Sequence, residues 1–92
     1  MELYFSIIIP VYNRPDEVGE LLESLASQTG KNFEVILVED GSTQRCDTVA
    51  RQYADRVNIR YYFKENSGRS QTRNYGMARA SGNYLLFFDS DC

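Results

Sequence analysis

The sequence predicts an α/β fold, a doubly wound and mostly parallel sheet built in the order β-α-β-α-β-α-β. Three observations carry that expectation. Four short apolar runs alternate with stretches whose apolar residues recur at helical spacing. The connections between them are short, which for parallel strands requires right-handed crossovers through the helices. The chain has 92 residues, enough for one domain that buries roughly 60 to 65% of its unfolded surface.

The first run, Leu3 to Val11, contains Phe5-Ser6-Ile7-Ile8-Ile9, β-branched and apolar on both faces as a central parallel strand requires. Pro10 has no N–H to donate, so pairing is expected to stop there and pass to the loop Val11-Tyr12-Asn13-Arg14. Pro15 suits a first helical turn, with Asp16 and Glu17 where the helix dipole favours negative charge. Val18, Leu21, Leu22, Leu25 and Ala26 then give this helix one buried face, and Gly30 is expected to end it.

Phe33 to Val38 makes the second strand and runs into Glu39-Asp40-Gly41-Ser42-Thr43. Ser42 or Thr43 is expected to cap a second helix bearing Cys46, Val49, Ala50, Tyr53 and Ala54 on one face. Val57 to Phe63 is the third strand, and the partial alternation of Asn58 to Tyr61 suits an edge. Glu65-Asn66-Ser67-Gly68 is a turn. Gly68, Thr72, Gly76 and Ala80 follow at every fourth position, a stripe of small side chains that lets a helix lie close on a sheet or a ligand. Gly82 is expected as that helix's C-cap. Tyr84-Leu85-Leu86-Phe87-Phe88, too short for a helix, is of the kind that forms a strand buried on both faces.

Composition removes whole classes of chemistry. With 42% hydrophobic and 25% charged residues the chain is an ordinary globular domain. A net charge of −3 with no basic stripe argues against a nucleic acid partner. Histidine is absent, which excludes Ser-His-Asp hydrolysis and His-built zinc sites and leaves carboxylates and a metal. Cys46 and Cys92 make no disulfide framework and point to a reducing, cytoplasmic location, with membrane association of a longer parent left open. No stretch has the length of a membrane span, and no signal peptide is in hand.

In sheets of this kind ligands bind beyond the carboxyl ends of the strands. Strand one ends in Pro10-Val11-Tyr12-Asn13, strand two in Glu39-Asp40 and strand four in Asp89-Ser90-Asp91, and parallel strands bring all three to one edge. Asp89 and Asp91 are alternate residues, so on an extended backbone their side chains share a side. Such an oxygen-only pair suits a hard divalent ion, Mg2+ or Mn2+, which also binds phosphate oxygens. A bare D-x-D is more often a polar turn, Tyr12 alone a half-buried aromatic, and Asp40 alone a helix-start charge. Their joint placement suggests a base, a ring N–H and a pyrophosphate.

Ser6-Ile7-Ile8-Ile9-Pro10-Val11-Tyr12-Asn13, Ser27-Gln28-Thr29, Val38-Glu39-Asp40-Gly41-Ser42-Thr43, Asn66-Ser67-Gly68, Arg73-Asn74-Tyr75-Gly76 and Phe88-Asp89-Ser90-Asp91 resemble, in order and spacing, the motifs of the family 2 inverting glycosyltransferases. The resemblance covers essentially the whole chain. It implies the GT-A nucleotide-diphospho-sugar-binding fold, with sheet order three, two, one, four, and sugar transfer from a nucleotide donor, commonly a UDP-sugar. By that resemblance Pro10, Val11 and Tyr12 border the base, Asp40 accepts from the uracil N–H, and Arg73 lies by the diphosphate. Asp89-Ser90-Asp91 is the metal-binding D-x-D, with Asp91 the more direct ligand.

Three positions depart from the family pattern. Glu39 stands where Asp is more frequent, Thr72 replaces a common Ala, and Cys92 stands where another Asp is frequent. The carboxylate that activates the acceptor is expected downstream of Cys92, so the chain reads as the donor-binding half, inactive by itself. Two other classes are weighed. A nucleotidyltransferase usually has a Gly-rich basic loop after strand one, which Val11-Tyr12-Asn13-Arg14 lacks. A phospho-receiver-like signalling module clusters its acids after strands one and three, whereas here they follow strands two and four. Finally, Tyr84 to Phe88 has no charge, proline or glycine to blunt an edge, which predicts self-association through this strand.

Overall fold

The computed structural model describes residues 4–28 and 32–88. The elements are β1 (Phe5–Val11), α1 (Pro15–Ala26), β2 (Phe33–Asp40), α2 (Asp47–Tyr53), β3 (Ile59–Lys64), α3 (Arg69–Arg79) and β4 (Tyr84–Phe87). The four strands are parallel and run in the order β3-β2-β1-β4. This is the expected doubly wound α/β sheet.

Strand alternation divides the core into two layers. Ile7, Ile9 and Val11 of β1 and Val35 and Leu37 of β2 point to one face, where they pack with Val18, Leu22 and Leu25 of α1 and Ala50 of α2. Ile8, Ile36 and Val38 point to the other, under α3, with Tyr62, Tyr75 and Ala80 around them. The small-residue stripe does what its spacing implies. Thr72 is fully buried, and a Cβ added to Gly76 would lie 2.6 Å from Ile8 Cγ2, so only glycine lets α3 sit this close to β1.

The strand ends near the small-residue helix are tied by a buried carboxylate. Glu34 accepts from Ser6 Oγ at 2.7 Å, from Ser81 N and Oγ at 2.8 Å each, and from Arg60 Nη1 at 3.3 Å. Burial alone pushes its pKa up, but the bonds from Ser6, Ser81 and Arg60 outweigh that and hold it below the ordinary value.

Several local expectations need correction. Pro10 does not end β1, which stays in register with β2 through Val11. Phe88 N donates to Ile8 O, so Ile8, and with it Pro10 two residues on, turns its backbone polar groups toward β4; the absent N–H falls past the end of the β1–β4 ladder and costs the β1–β2 ladder nothing. Neither Ser42 nor Thr43 caps α2, whose N-cap is Cys46 with no side-chain cap bond. Their hydroxyls are engaged by Asn13 instead. Gly82 is not the C-cap of α3, which is Ala80; it is small because a Cβ there would meet Tyr4 O at 2.6 Å and Ser6 Oγ at 2.7 Å. Gly30 does not end α1, which closes at Ala26 with Ser27 as its C-cap, the Ser27 N–H bonding back to Glu23 O; Gly30 itself lies outside the described residues. β4 is not buried on both faces, as its apolar run by itself implied: Tyr84 to Phe88 are 39–48% exposed, because β4 is the sheet edge that the order three, two, one, four calls for, paired among the described residues with β1. Among the described residues no helix is long and apolar enough to cross a membrane.

Candidate functional site

A cleft of about 510 Å3 opens at the carboxyl edge of the sheet, lined by Pro10, Val11, Tyr12, Asp40, Asn66, Ser70, Thr72 and Arg73. Five of the residues singled out from sequence, Pro10, Val11, Tyr12, Asp40 and Arg73, therefore share one cavity. Asp89, Ser90 and Asp91 lie outside the described residues. Each element delivers its residue for a local reason. Asp40 is the last residue of β2 and its side chain takes the α3 face by strand alternation. Arg73 lies one position beyond the buried Thr72, on the rim of the small-residue face of α3.

Asp40 is also the fastening of the β3–α3 loop. Its Oδ1 accepts Lys64 Nζ at 3.1 Å and Ser67 N at 2.9 Å. Its Oδ2 accepts Gly68 N at 3.2 Å and lies 3.5 Å from Asn66 Nδ2, whose stronger bond, 3.0 Å, goes to Asp40 O. Lys64 also donates to Ser67 Oγ and, at 2.7 Å, to Glu65 O. Burial would raise the Asp40 pKa, but the Ser67 N–H, Lys64 and the Gly68 N–H outweigh it and hold the carboxyl below its ordinary value. The group is an anion at neutral pH. Oδ1 is saturated by two donors, and the long Asn66 contact leaves Oδ2 able to take a further N–H from the cleft. Gly41 makes this closeness possible, since at φ +71 it is in the left-handed region and a Cβ would lie 2.7 Å from Asn66 N.

Glu39, the other acid at the end of β2, does not enter the cleft. Alternation turns it to the α1/α2 face, where it is fully buried. Its Oε1 accepts Tyr61 Oη at 2.6 Å, Cys46 N at 2.9 Å and Cys46 Sγ at 3.4 Å. Burial first, and the Glu39 carboxylate next, push the Cys46 thiol and the Tyr61 phenol up from their ordinary values, so neither ionises near neutrality. The Glu-for-Asp departure is thus a matter of how the β2–α2 connection is held.

Sequence reasoning missed Lys64 and Ser70. Glu65-Asn66-Ser67-Gly68 reads from sequence as a turn, with no sign that the Ser67 and Gly68 amides meet Asp40. The available signal was a loop of donors following a lysine at the end of a strand adjacent to Asp40, and only the register Asp40↔Lys64 brings it into view. Among the described residues no group of three acidic or sulfur ligands could hold a metal ion. The oxygen donors named for that purpose are Asp89 and Asp91.

Residues 6–92 match the model of glycosyl transferase family 2. The chain belongs to this family. An uncharacterized glycosyltransferase of Rickettsia bellii is 42% identical over 86 residues, 94% of this chain, and the chain spans only 12% of that protein's length. The structure of S. aureus TarS 1-349 in complex with UDP-GlcNAc superposes with a TM-score of 0.88 at 36% identity, covering 97% of this chain and 27% of that one. The mannosyltransferase PcManGT from Pyrobaculum calidifontis, solved with GDP-Man and Mn2+, is 22% identical with a TM-score of 0.87 over 99% of this chain and 28% of its own; that likeness is one of fold. The family 2 chain described here therefore shares its parallel four-stranded sheet with glycosyltransferases.

Proposed function

We propose that this chain supplies the donor site of an enzyme that transfers a sugar, with inversion, from a UDP-sugar to an acceptor hydroxyl. The observation that carries the reading is the cleft itself, where an exposed aromatic, Tyr12, an ionised carboxylate, Asp40, and a guanidinium, Arg73, line one cavity at the carboxyl edge. The relation to TarS, solved with UDP-GlcNAc, supports it.

In this reading Pro10 and Val11 border the base and Tyr12 offers it a ring face. Asp40 accepts the ring N–H through Oδ2, an interaction that a protonated or amide side chain would weaken. Arg73 presents a fixed, always charged fork to the diphosphate. Asp89 and Asp91 would hold a divalent cation, Mn2+ or Mg2+, with Ser90 beside the diphosphate; their oxygen-only chemistry fits such an ion. When bound, the cation offsets the negative charge of the departing diphosphate.

Inverting transfer also needs a carboxylate within hydrogen-bond reach of the acceptor hydroxyl. Asp40 is the only acid among the described residues that line the cleft, and it is committed to the loop and the base. We therefore assign the acceptor-activating base to residues beyond Cys92, and expect the chain alone to bind donor without acceptor-dependent transfer. A cytoplasmic location remains part of the proposal, in keeping with the free, buried thiol of Cys46.

Calorimetric titration with UDP tests the reading. The chain should bind UDP more tightly with Mn2+ than with chelator, and Asp91→Asn should remove the difference. Equal affinity of the unaltered chain in Mn2+ and in chelator would overturn the metal and diphosphate assignment.

A further inference from the structure

We infer that Asn13 is a positioning residue for the base-binding aromatic, clamping the β1–α1 loop to the β2–α2 loop so that Tyr12 is held at the mouth of the cleft; this rests on reading the cleft as a nucleotide site. Asn13 is the described non-glycine residue with positive φ, at 53°. That conformation is costly for most side chains, and asparagine is among the few that adopt it readily. It turns the chain sharply just after Tyr12.

The turn is fixed from both sides by a loop about thirty positions away in sequence. Asn13 N donates to Ser42 Oγ at 2.8 Å. Asn13 Oδ1 accepts from Thr43 N at 2.8 Å, Gln44 N at 2.8 Å and Thr43 Oγ1 at 3.2 Å. The anchor is firm, since Ser42 is 5% exposed. Tyr12, by contrast, is 47% exposed, so packing covers only about half of it and the backbone on either side sets where its ring stands. One of those sides is β1 in register with β2; the other is Asn13. The clamp also spans the two rims of the cleft, because Ser42 follows Asp40 by two residues. A base stacked on Tyr12 and bonded to Asp40 needs both rims at a fixed separation, and this contact supplies it.

The test is UDP affinity in Mn2+, combined with thermal melting, for Asn13→Ala, Asn13→Gly, Asn13→Asp and Tyr12→Ala. Asn13→Gly keeps the left-handed backbone and loses the acceptor, whereas Asn13→Asp keeps the acceptor. Asn13→Ala and Asn13→Gly should each weaken UDP by about tenfold, as loss of one base stack would, and leave Mn2+-pyrophosphate affinity unchanged. Asn13→Asp should restore UDP affinity. In the Tyr12→Ala background, Asn13→Gly should cost no more than about twofold, because the two act through one ring. UDP affinity of Asn13→Gly equal to that of the unaltered chain, or loss that is additive with Tyr12→Ala, or an equal loss for pyrophosphate, overturns the inference. Failure of the unaltered chain to bind any nucleoside diphosphate is a different result: it overturns the proposed donor site, and the inference falls with it.

Discussion

Asp40 and Glu39 are neighbours in sequence with opposite tasks, and strand alternation alone separates them. Asp40 faces α3 and fastens the β3–α3 loop through Lys64, Ser67 and Gly68. Asp40→Asn keeps one acceptor oxygen and removes the charge, so it should destabilise the chain by about 1.5–3 kcal/mol, the worth of hydrogen bonds to a charged group; urea denaturation reads this directly. Glu34 and Asp40 also set the acid limb of stability. Both carboxyls lie below their ordinary values of 4.5 and 3.8, so their contribution is complete above those values and is lost as pH falls through the lower folded-state ones. Thermal melts should hold steady, as far as these two groups are concerned, from pH 7 to about 5 and decline below about 4.5. Glu34→Gln should flatten that decline, and an unchanged acid limb would contradict the assignment. At this scale Tyr12 and Asp40 were legible from their places at strand ends, whereas Arg73 came only from the family resemblance, since its place on α3 reads equally as a solvated helix residue. The clamp at Asn13 was not legible, because its partners are 29 to 31 positions away and no local pattern marks the pairing.

The elements themselves follow from periodicity wherever one face of a segment meets the core. α1 begins at Pro15 with Asp16 and Glu17 in its first turn, as expected. Val18, Leu22 and Leu25 form its buried stripe. α3 packs closely on β1 through Gly76. Gly76→Ala would press a methyl against the buried Ile8 at 2.6 Å, and overpacking of this kind costs about 1–3 kcal/mol. The melting temperature should fall by about 4–8 °C for each kcal/mol in a chain of this size; an unshifted melt would show that α3 can lift away freely. The start of α2 was not legible. Ser42 and Thr43 are good capping residues in isolation, but their hydroxyls bond Asn13, and the helix begins four residues later with Cys46 at its N-cap. The end of β1 was misplaced for a related reason: the lack of an N–H at Pro10 matters only on the side where a ladder continues.

For the whole molecule the alternation of apolar runs and helical stretches was sufficient to predict the parallel, doubly wound sheet, and the family resemblance supplied its order. The exposure of β4 was not implied by its composition. Register places Tyr84 and Leu86 on the α1 face and Leu85 and Phe87 on the α3 face, and all four are 41–48% exposed. An edge this apolar invites pairing. We expect the 92-residue chain to form an isologous dimer or larger species through Tyr84 to Phe88. Light scattering should show it at high concentration, and Leu85→Lys should shift it toward monomer. A monodisperse monomer of the unaltered chain would count against this.

The central claim is that the carboxyl edge of the sheet is one binding site for a nucleoside diphosphate, and amide chemical-shift mapping during UDP titration in Mg2+ tests it most directly. Saturable shifts should be confined to Val11, Tyr12, Asp40, Asn66, Ser70, Arg73 and their immediate neighbours on the β1–α1, β2–α2 and β3–α3 loops, together with Asp89, Ser90 and Asp91. Shifts clustered instead in the α1–α2 groove around Gly19 and Gln52, or no saturable shift at all, would contradict it.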